Sequence, residues 1–214
     1  VTRRYGLIDR ESWQPFFSLL LFCGIGLLLT IPPARYVRDF DKIAFLPGIH
    51  IYFYAYALFV GILGLNLGAM SAARGERGWV VIPLLTGRIL LAQCLLLPYF
   101  VFARALYPRK EVAFVLIILY TTIVCLLCAI TSRLIEGQKP QATPRGFLLK
   151  YALYTIYCVV PLLGVPVLSP LGAVVQILNG EEYSLLLVAY GVPLVLAAMV
   201  VLLLHRRLRG DANV

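Results

Sequence analysis

Cys125 and Cys128 stand in the C-x-x-C spacing that serves metal binding or thiol redox chemistry. A metal site would need a second pair or a nearby histidine, and the sequence supplies neither. All five cysteines (Cys23, Cys94, Cys125, Cys128, Cys158) lie in apolar runs, which is not a disulfide framework. The pair therefore reads as small residues packed within a helix. Asp39, Asp41 and His50 form the one other cluster able to bind a metal or move protons. Asp39-Phe40-Asp41 lies between Arg38 and Lys42 and reads as a solvated loop. The chain has no phosphate-cradling G-x-x-x-x-G-K-[ST], no H-E-x-x-H and no G-x-S-x-G. None of the 10 acidic residues falls mid-run, where proton relays and cation sites of membrane carriers lie. His50 and His205 stand at run ends. A hydrolase and an ion-coupled carrier are both disfavoured, so energy for any transport is expected from another subunit.

The elements that must hold these residues are set by hydropathy. Of 214 residues 61% are hydrophobic and 14% charged, with mean hydropathy +0.90. Soluble domains run near 45–50% apolar and about 25% charged. A soluble enzyme, a disordered chain and a nucleic-acid-binding domain are excluded. The net charge of +9 then points to basic loops on the cytoplasmic face of a bilayer. No cleavable signal peptide is expected, because Asp9 and Glu11 precede the first apolar run and Pro32-Pro33 ends it.

A spanning helix needs about 20 apolar residues, and a central charge costs roughly 2.5–3.5 kcal/mol. The charge-free stretches predict an all-α fold of six transmembrane helices, near 16–31, 49–72, 89–106, 112–132, 149–167 and 184–204. The domain plan is an interfacial helix over 1–15, a membrane domain over 16–205 and a tail over 206–214. Pro98 predicts a kink in the third span. With both termini inside, the inner segments carry 13 of the Lys and Arg residues and the outer ones 6. The positive-inside rule thus favours cytoplasmic termini.

Three connections are unusual. The first 14 residues, with Arg3, Arg4, Arg10 and Trp13, read as an interfacial helix with a tryptophan anchor. Residues 74–88, RGERGWVVIPLLTGR, are apolar between charges and too short to span, which suits a surface helix or one docked in a partner. The charge-free run 151–180 is too long for one crossing, and Pro161, Pro166 and Pro170 break it. Its span should end near Pro166. Residues 169–179 should then form short re-entrant helices, with Ser169 as cap and Pro170 at the first helical position. Gly172 and Asn179 belong to this segment. Gly61, Gly64, Gly68 and Ala72 share one face of the second helix, a stripe for close packing. Asn66 either faces a pathway or bonds another helix. Tyr52, Tyr54 and Tyr56 read as an aromatic belt.

As a whole-chain pattern, the sequence resembles the membrane subunits of ABC transporters of the ABC-2 (type V exporter) class. The resemblance rests on the basic N-terminus, the six spans, and Pro47-Gly48 before the second span. Glu76-Arg77-Gly78 after it, Pro83 and Thr86 opening the third, and SPLGAVVQILNG before the sixth add to it. The family often has Lys where this chain has Gln93. The resemblance implies a homodimer or heterodimer of permease subunits in a bacterial cytoplasmic (inner) membrane. Each subunit would dock on a separate cytoplasmic ATPase that carries the ATP and Mg. This chain would hold no cofactor or metal. Residues 76–88, with Glu76, Arg77, Gly78, Trp79, Pro83, Thr86 and Arg88, would be the coupling helix. Arg3, Arg4, Arg10 and Trp13 would belong to a connecting helix, and Ser169, Pro170, Gly172 and Asn179 to an outer gate. The cargo would be amphiphilic or hydrophobic. Two other readings stay open: an assembly subunit of a larger membrane complex, and a lipid-acting enzyme using Asp39, Asp41 and His50.

Overall fold

The computed structural model describes residues 45–76, 80–106, 111–137, 144–179 and 183–210, together with Phe17, Leu21 and Gly24. Every regular element among the described residues is helical. They are α1 (Phe45–Ala73), α2 (Val81–Leu106), α3 (Glu111–Glu136), α4 (Pro144–Val159), α5 (Pro170–Asn179) and α6 (Tyr183–Gly210). Two 3-10 turns, Val160–Leu163 and Pro166–Leu168, connect α4 to α5. Three segments, Phe53–Ala73, Val112–Glu136 and Gly146–Leu163, are long and apolar enough to cross a membrane. The chain has the helices of a membrane protein. Of the helix expected near 16–31, only Phe17, Leu21 and Gly24 are described, and each is helical. Residues 1–15, with Arg3, Arg4, Arg10 and Trp13, lie outside the described residues, as do Asp39 and Asp41.

The helix bounds depart from the expected ones in a consistent way. The expected third span begins at 89, after Arg88, but α2 begins at Val81 and carries Arg88 inside it. Among the described residues the segment 76–88 is not set apart from α2: Val80 is in a 3-10 turn and 81–88 are α-helical. Its apolar half is the first two turns of α2, which then runs unbroken past Pro98 to Leu106. Likewise α4 begins at Pro144 rather than 149, and α3 extends past Arg133 to Glu136. The tail expected from 206 is helical to Gly210. At the other end of α4 the α-helix stops at Val159 rather than near Pro166. Pro161 has no N–H to give the carbonyl four residues back, and its ring would strike that carbonyl. The chain tightens into a 3-10 turn there instead.

α3 is the centre of the bundle, packed against all five other α-helices, most extensively α1. The rings of Phe53 and Phe114 meet 5.5 Å apart at one end of α1 and α3, and Gly68 faces Ala129 toward the other. The two helices therefore run in parallel. α4 returns antiparallel: the Tyr151 hydroxyl donates to Asn66 Oδ1 at 2.9 Å, and Tyr154 reaches the carbonyls of Ala57 and Leu58, each at 3.1 Å. Tyr190 on α6 donates to the Leu116 carbonyl and sets its ring edge-on to Tyr120. One end of the bundle thus gathers the C-termini of α1, α3 and α6 with the N-termini of α2 and α4.

The small-residue stripe makes the closest of these contacts. A methyl group at Gly64 would overlap the Cys125 carbonyl oxygen, and one at Gly68 the Ala129 carbonyl oxygen. Ser132 uses this approach to donate to the Leu65 carbonyl at 2.7 Å. Gly61 leaves room for the Tyr154 ring. Asn66 takes the helix-to-helix role of its two expected alternatives. Tyr56 belongs to the core rather than a belt. Fully buried, it donates to Gln93 Oε1 at 2.6 Å and lies 3.3 Å from Thr121 Oγ1. Thr121 in turn donates back to the Ile117 carbonyl at 2.8 Å. This trio ties α1, α2 and α3 together at one depth.

Gly68→Ala should destabilise the protein by about 1–3 kcal/mol, since a helix backbone must move to admit the methyl. Gly191, in α6, has nothing within 4 Å of an added methyl. Gly191→Ala should be neutral or stabilising by about 0.5–1 kcal/mol. Thermal unfolding of both variants in one detergent checks the contrast.

Candidate functional site

The described residues most able to transmit force or bind a ligand lie at the charged end of the bundle. α1 ends there in Gly75, with φ 64°, where a residue without a Cβ is favoured. The Gly75 N–H bonds the Ala72 carbonyl at 2.9 Å and the Glu76 N–H the Ser71 carbonyl at 3.3 Å. These are the two bonds of a Schellman cap, with Glu76 just beyond it. The cap turns the Glu76 carboxylate back among the helices. Arg88, one helix over, donates to both of its oxygens, at 3.1 and 2.6 Å. Arg133 on α3 donates to the Glu76 main-chain carbonyl at 2.6 Å and to the carbonyl of Gly137. Glu76, Arg88 and Arg133 are 1%, 0% and 2% exposed.

This clamp has a definite electrostatic logic. An arginine two turns inside an apolar helix is costly unless a carboxylate answers its charge with good geometry. A two-pronged Arg–carboxylate contact provides that geometry. Gly137, with φ 64°, closes α3 as Gly75 closes α1, through its N–H to the Arg133 carbonyl at 3.1 Å. Beside the clamp lies a second buried pair, Lys150 of α4 on Glu136 of α3. The Lys150 ammonium also stands 5.7 and 5.5 Å from the ring centres of Phe147 and Tyr151, within cation–π range.

The structure sorts the sequence-selected residues plainly. Glu76 and Arg88 meet each other inside the chain, so neither side chain faces outward. Pro83 is exposed, and Thr86 bonds back to the Ile82 carbonyl of its own helix at 2.9 Å. Arg77, Gly78 and Trp79 lie outside the described residues. At the opposite end, Ser169 is fully buried, accepts the Leu171 N–H at 3.2 Å and donates to the Cys158 carbonyl. Pro170 opens α5, as expected. Gly172 lets α5 approach the Pro166 carbonyl, which a methyl would overlap. Asn179 is the last residue of α5.

No protein-family model matches the chain, and neither does any curated protein or solved structure.

A cavity of about 300 Å³ lies between α3, α4 and α6, floored by Leu65 of α1. Its walls are apolar apart from Thr131, Tyr154 and Tyr157, and Lys150 marks its charged-end boundary. Cys128 contributes to the wall, and Cys125 is buried against α1. The C-x-x-C pair thus packs as small helix residues. No group of three or more His, Cys, Asp or Glu able to hold a metal occurs among the described residues. Residues the sequence reading passed over include Arg133, Glu136 and Lys150. Their signal was present: Arg133 and Lys150 are basic residues at the edges of apolar runs, where a buried charge demands a partner.

Glu76→Ala takes the carboxylate away from the buried Arg88 guanidinium, and should cost about 3–5 kcal/mol. The double variant Glu76→Gln/Arg88→Met, which removes both charges, should recover most of that loss. Denaturation midpoints of the single and double variants decide it, and equal losses would count against the clamp.

Proposed function

We propose that this chain is the membrane subunit of an ATP-driven exporter of the ABC-2 class, moving an amphiphilic or hydrophobic cargo. It works with a second permease subunit and a separate cytoplasmic ATPase that binds ATP and Mg. The observation carrying this reading is the clamped turn between α1 and α2. A membrane helix pair driven from outside needs a stiff lever at the driven end. Glu76, held by Arg88 and Arg133, links the ends of α1, α2 and α3, so a push on the turn moves three helices together. Coupling then falls to the stretch joining α1 to α2, which by sequence holds Trp79 and ends at the half-exposed Val80, while Glu76 and Arg88 brace it. The sequence pattern of Glu76-Arg77-Gly78, Pro83 and Thr86 supports the same assignment. So does the basic bias of the segments gathered at this end, which favours placing it in the cytoplasm. The short α5, capped by Ser169 at the other end, is then the outer gate.

Mild-detergent purification from the native host, followed by mass spectrometry, should bring down a stoichiometric soluble subunit with phosphate-loop peptides. Recovery with membrane proteins alone would favour an assembly subunit and sink the exporter. With the ATPase in hand, Trp79→Ala should leave the fold intact. It should weaken ATPase binding by about 2 kcal/mol, as removal of an aromatic anchor does, or roughly thirtyfold.

A further inference from the structure

We propose that α6 bends at Gly191 and Pro193, and that the bend opens and closes the slot between α4 and α6. The inference rests on the chain crossing a bilayer, and not on the exporter assignment.

Two features loosen α6 at one level. Pro193 lies inside the helix and has no N–H for the Ala189 carbonyl, so one rung of the helix is missing. Gly191 lies in the same turn, with nothing within 4 Å of where a methyl would stand. Helices bend sharply at residues of this kind. They act as hinges where the two sides are held differently, and here they are. Before Gly191, Tyr190 donates to the Leu116 carbonyl and sets its ring edge-on to Tyr120 of α3, and Ala189 is buried. α5 and the turn Pro166–Leu168 also pack on α6. After Pro193 the hold is slight. Leu194, Val195, Met199, Leu202 and Leu203 are exposed, and from 194 to 203 only Ala197 is buried.

The slot lies on that looser side. α6 lines it with Leu196 and Val200, α4 with Leu153 and Tyr157, and α3 closes the back with Leu127 and Thr131. α4 and α6 each pack on α3, but neither packs closely on the other. The volume of about 300 Å³ is therefore space that the second half of α6 can enter. From Pro193 to Leu203 is ten residues, or about 15 Å of helix. A bend of about 20° moves that end by about 5 Å and carries Leu196 and Val200 toward Leu153 and Tyr157. Side chains 194–204 are all apolar, so the swing breaks no side-chain hydrogen bond. With the slot open, lipid chains meet its walls; with it closed, the helices meet each other. Lipid tails are as apolar as leucine, so neither position gains a large hydrophobic advantage. The two lie close in energy and both are populated. The half of α6 that moves belongs to the charged end, while the half beside α5 stays in place.

The test uses the full chain in lipid nanodiscs and pulsed dipolar spectroscopy. Spin labels are attached through p-acetylphenylalanine at Leu148 of α4 and Leu203 of α6, both exposed and both at the charged end. The otherwise unchanged chain should give two distances about 5 Å apart. Pro193→Ala restores the missing rung and should merge them into one, and Gly191→Ala is the second stiffening variant if Pro193→Ala fails to fold. Leu196→Trp fills the slot and should leave only the longer distance, whereas Leu194→Trp, on the exposed side of α6, should leave both. Val200→Trp fills the same slot if Leu196→Trp fails to fold. A reference pair, Leu148 with the exposed Val115 of α3, should give one distance throughout. A single narrow distance between α4 and α6, or two that the stiffening variants leave unchanged, would overturn the hinge. So would two distances for the reference pair, which mean that the whole bundle rearranges. Equal distributions in the slot-filling and outward tryptophan variants would overturn the slot as the space entered. None of these outcomes bears on co-purification of an ATPase, so the two proposals fail separately.

Discussion

Burying a guanidinium inside an apolar bundle is the constraint on which the charged end of this structure depends. Arg88 lies in α2 with no exposed surface, and Glu76 answers its charge at 2.6 Å. That pairing fixes where α1 must stop, because Glu76 reaches Arg88 only from just beyond the Gly75 cap. It also fixes where α2 can start. Arg133 then locks the third helix by bonding the carbonyl of the same residue. One acidic residue thus sets the relative height of three helices. The Lys150–Glu136 pair repeats the device between α3 and α4.

Away from that end, order comes from close backbone approach. Gly64 and Gly68 bring α1 against α3 so tightly that no side chain fits between them. In lipid there is no hydrophobic drive between helices, so contact of this kind and interhelical hydrogen bonds supply the cohesion. The Tyr56–Gln93–Thr121 trio and the Tyr154 bonds to α1 carbonyls are those bonds. α4 contrasts with this. It is the least buried of the three spanning segments, and only one of its faces meets the bundle. A slot lies beside it, between α4 and α6.

The two proposals share this architecture but use different parts of it. A clamped α1–α2 turn makes a lever, since force applied at its tip cannot be absorbed by rotation of one helix alone. The slot between α4 and α6 instead reflects the absence of close packing. Rigidity at one site and incompleteness at the other arise from the same bundle.

The existence of most helices, the packing role of Gly61, Gly64 and Gly68, and the Ser169–Pro170 start of α5 were legible in the sequence. Apolar length, small-residue spacing and cap chemistry are local properties, and each is written in a few neighbouring residues. The sequence also marked 76–88 as special, from its charges alone. What it could not decide was the meaning of those charges. Arg88 looks like a boundary because an unpaired charge is expelled from an apolar helix. It instead lies inside α2, because an acid brought close by the fold cancels the cost. The same holds for Tyr56, which reads as a belt residue until Gln93 and Thr121 arrive from two other helices. Composition determined that the chain enters a membrane. Only tertiary pairing decided which polar side chains face the bundle interior, because burial of a charge depends on a partner that sequence distance conceals.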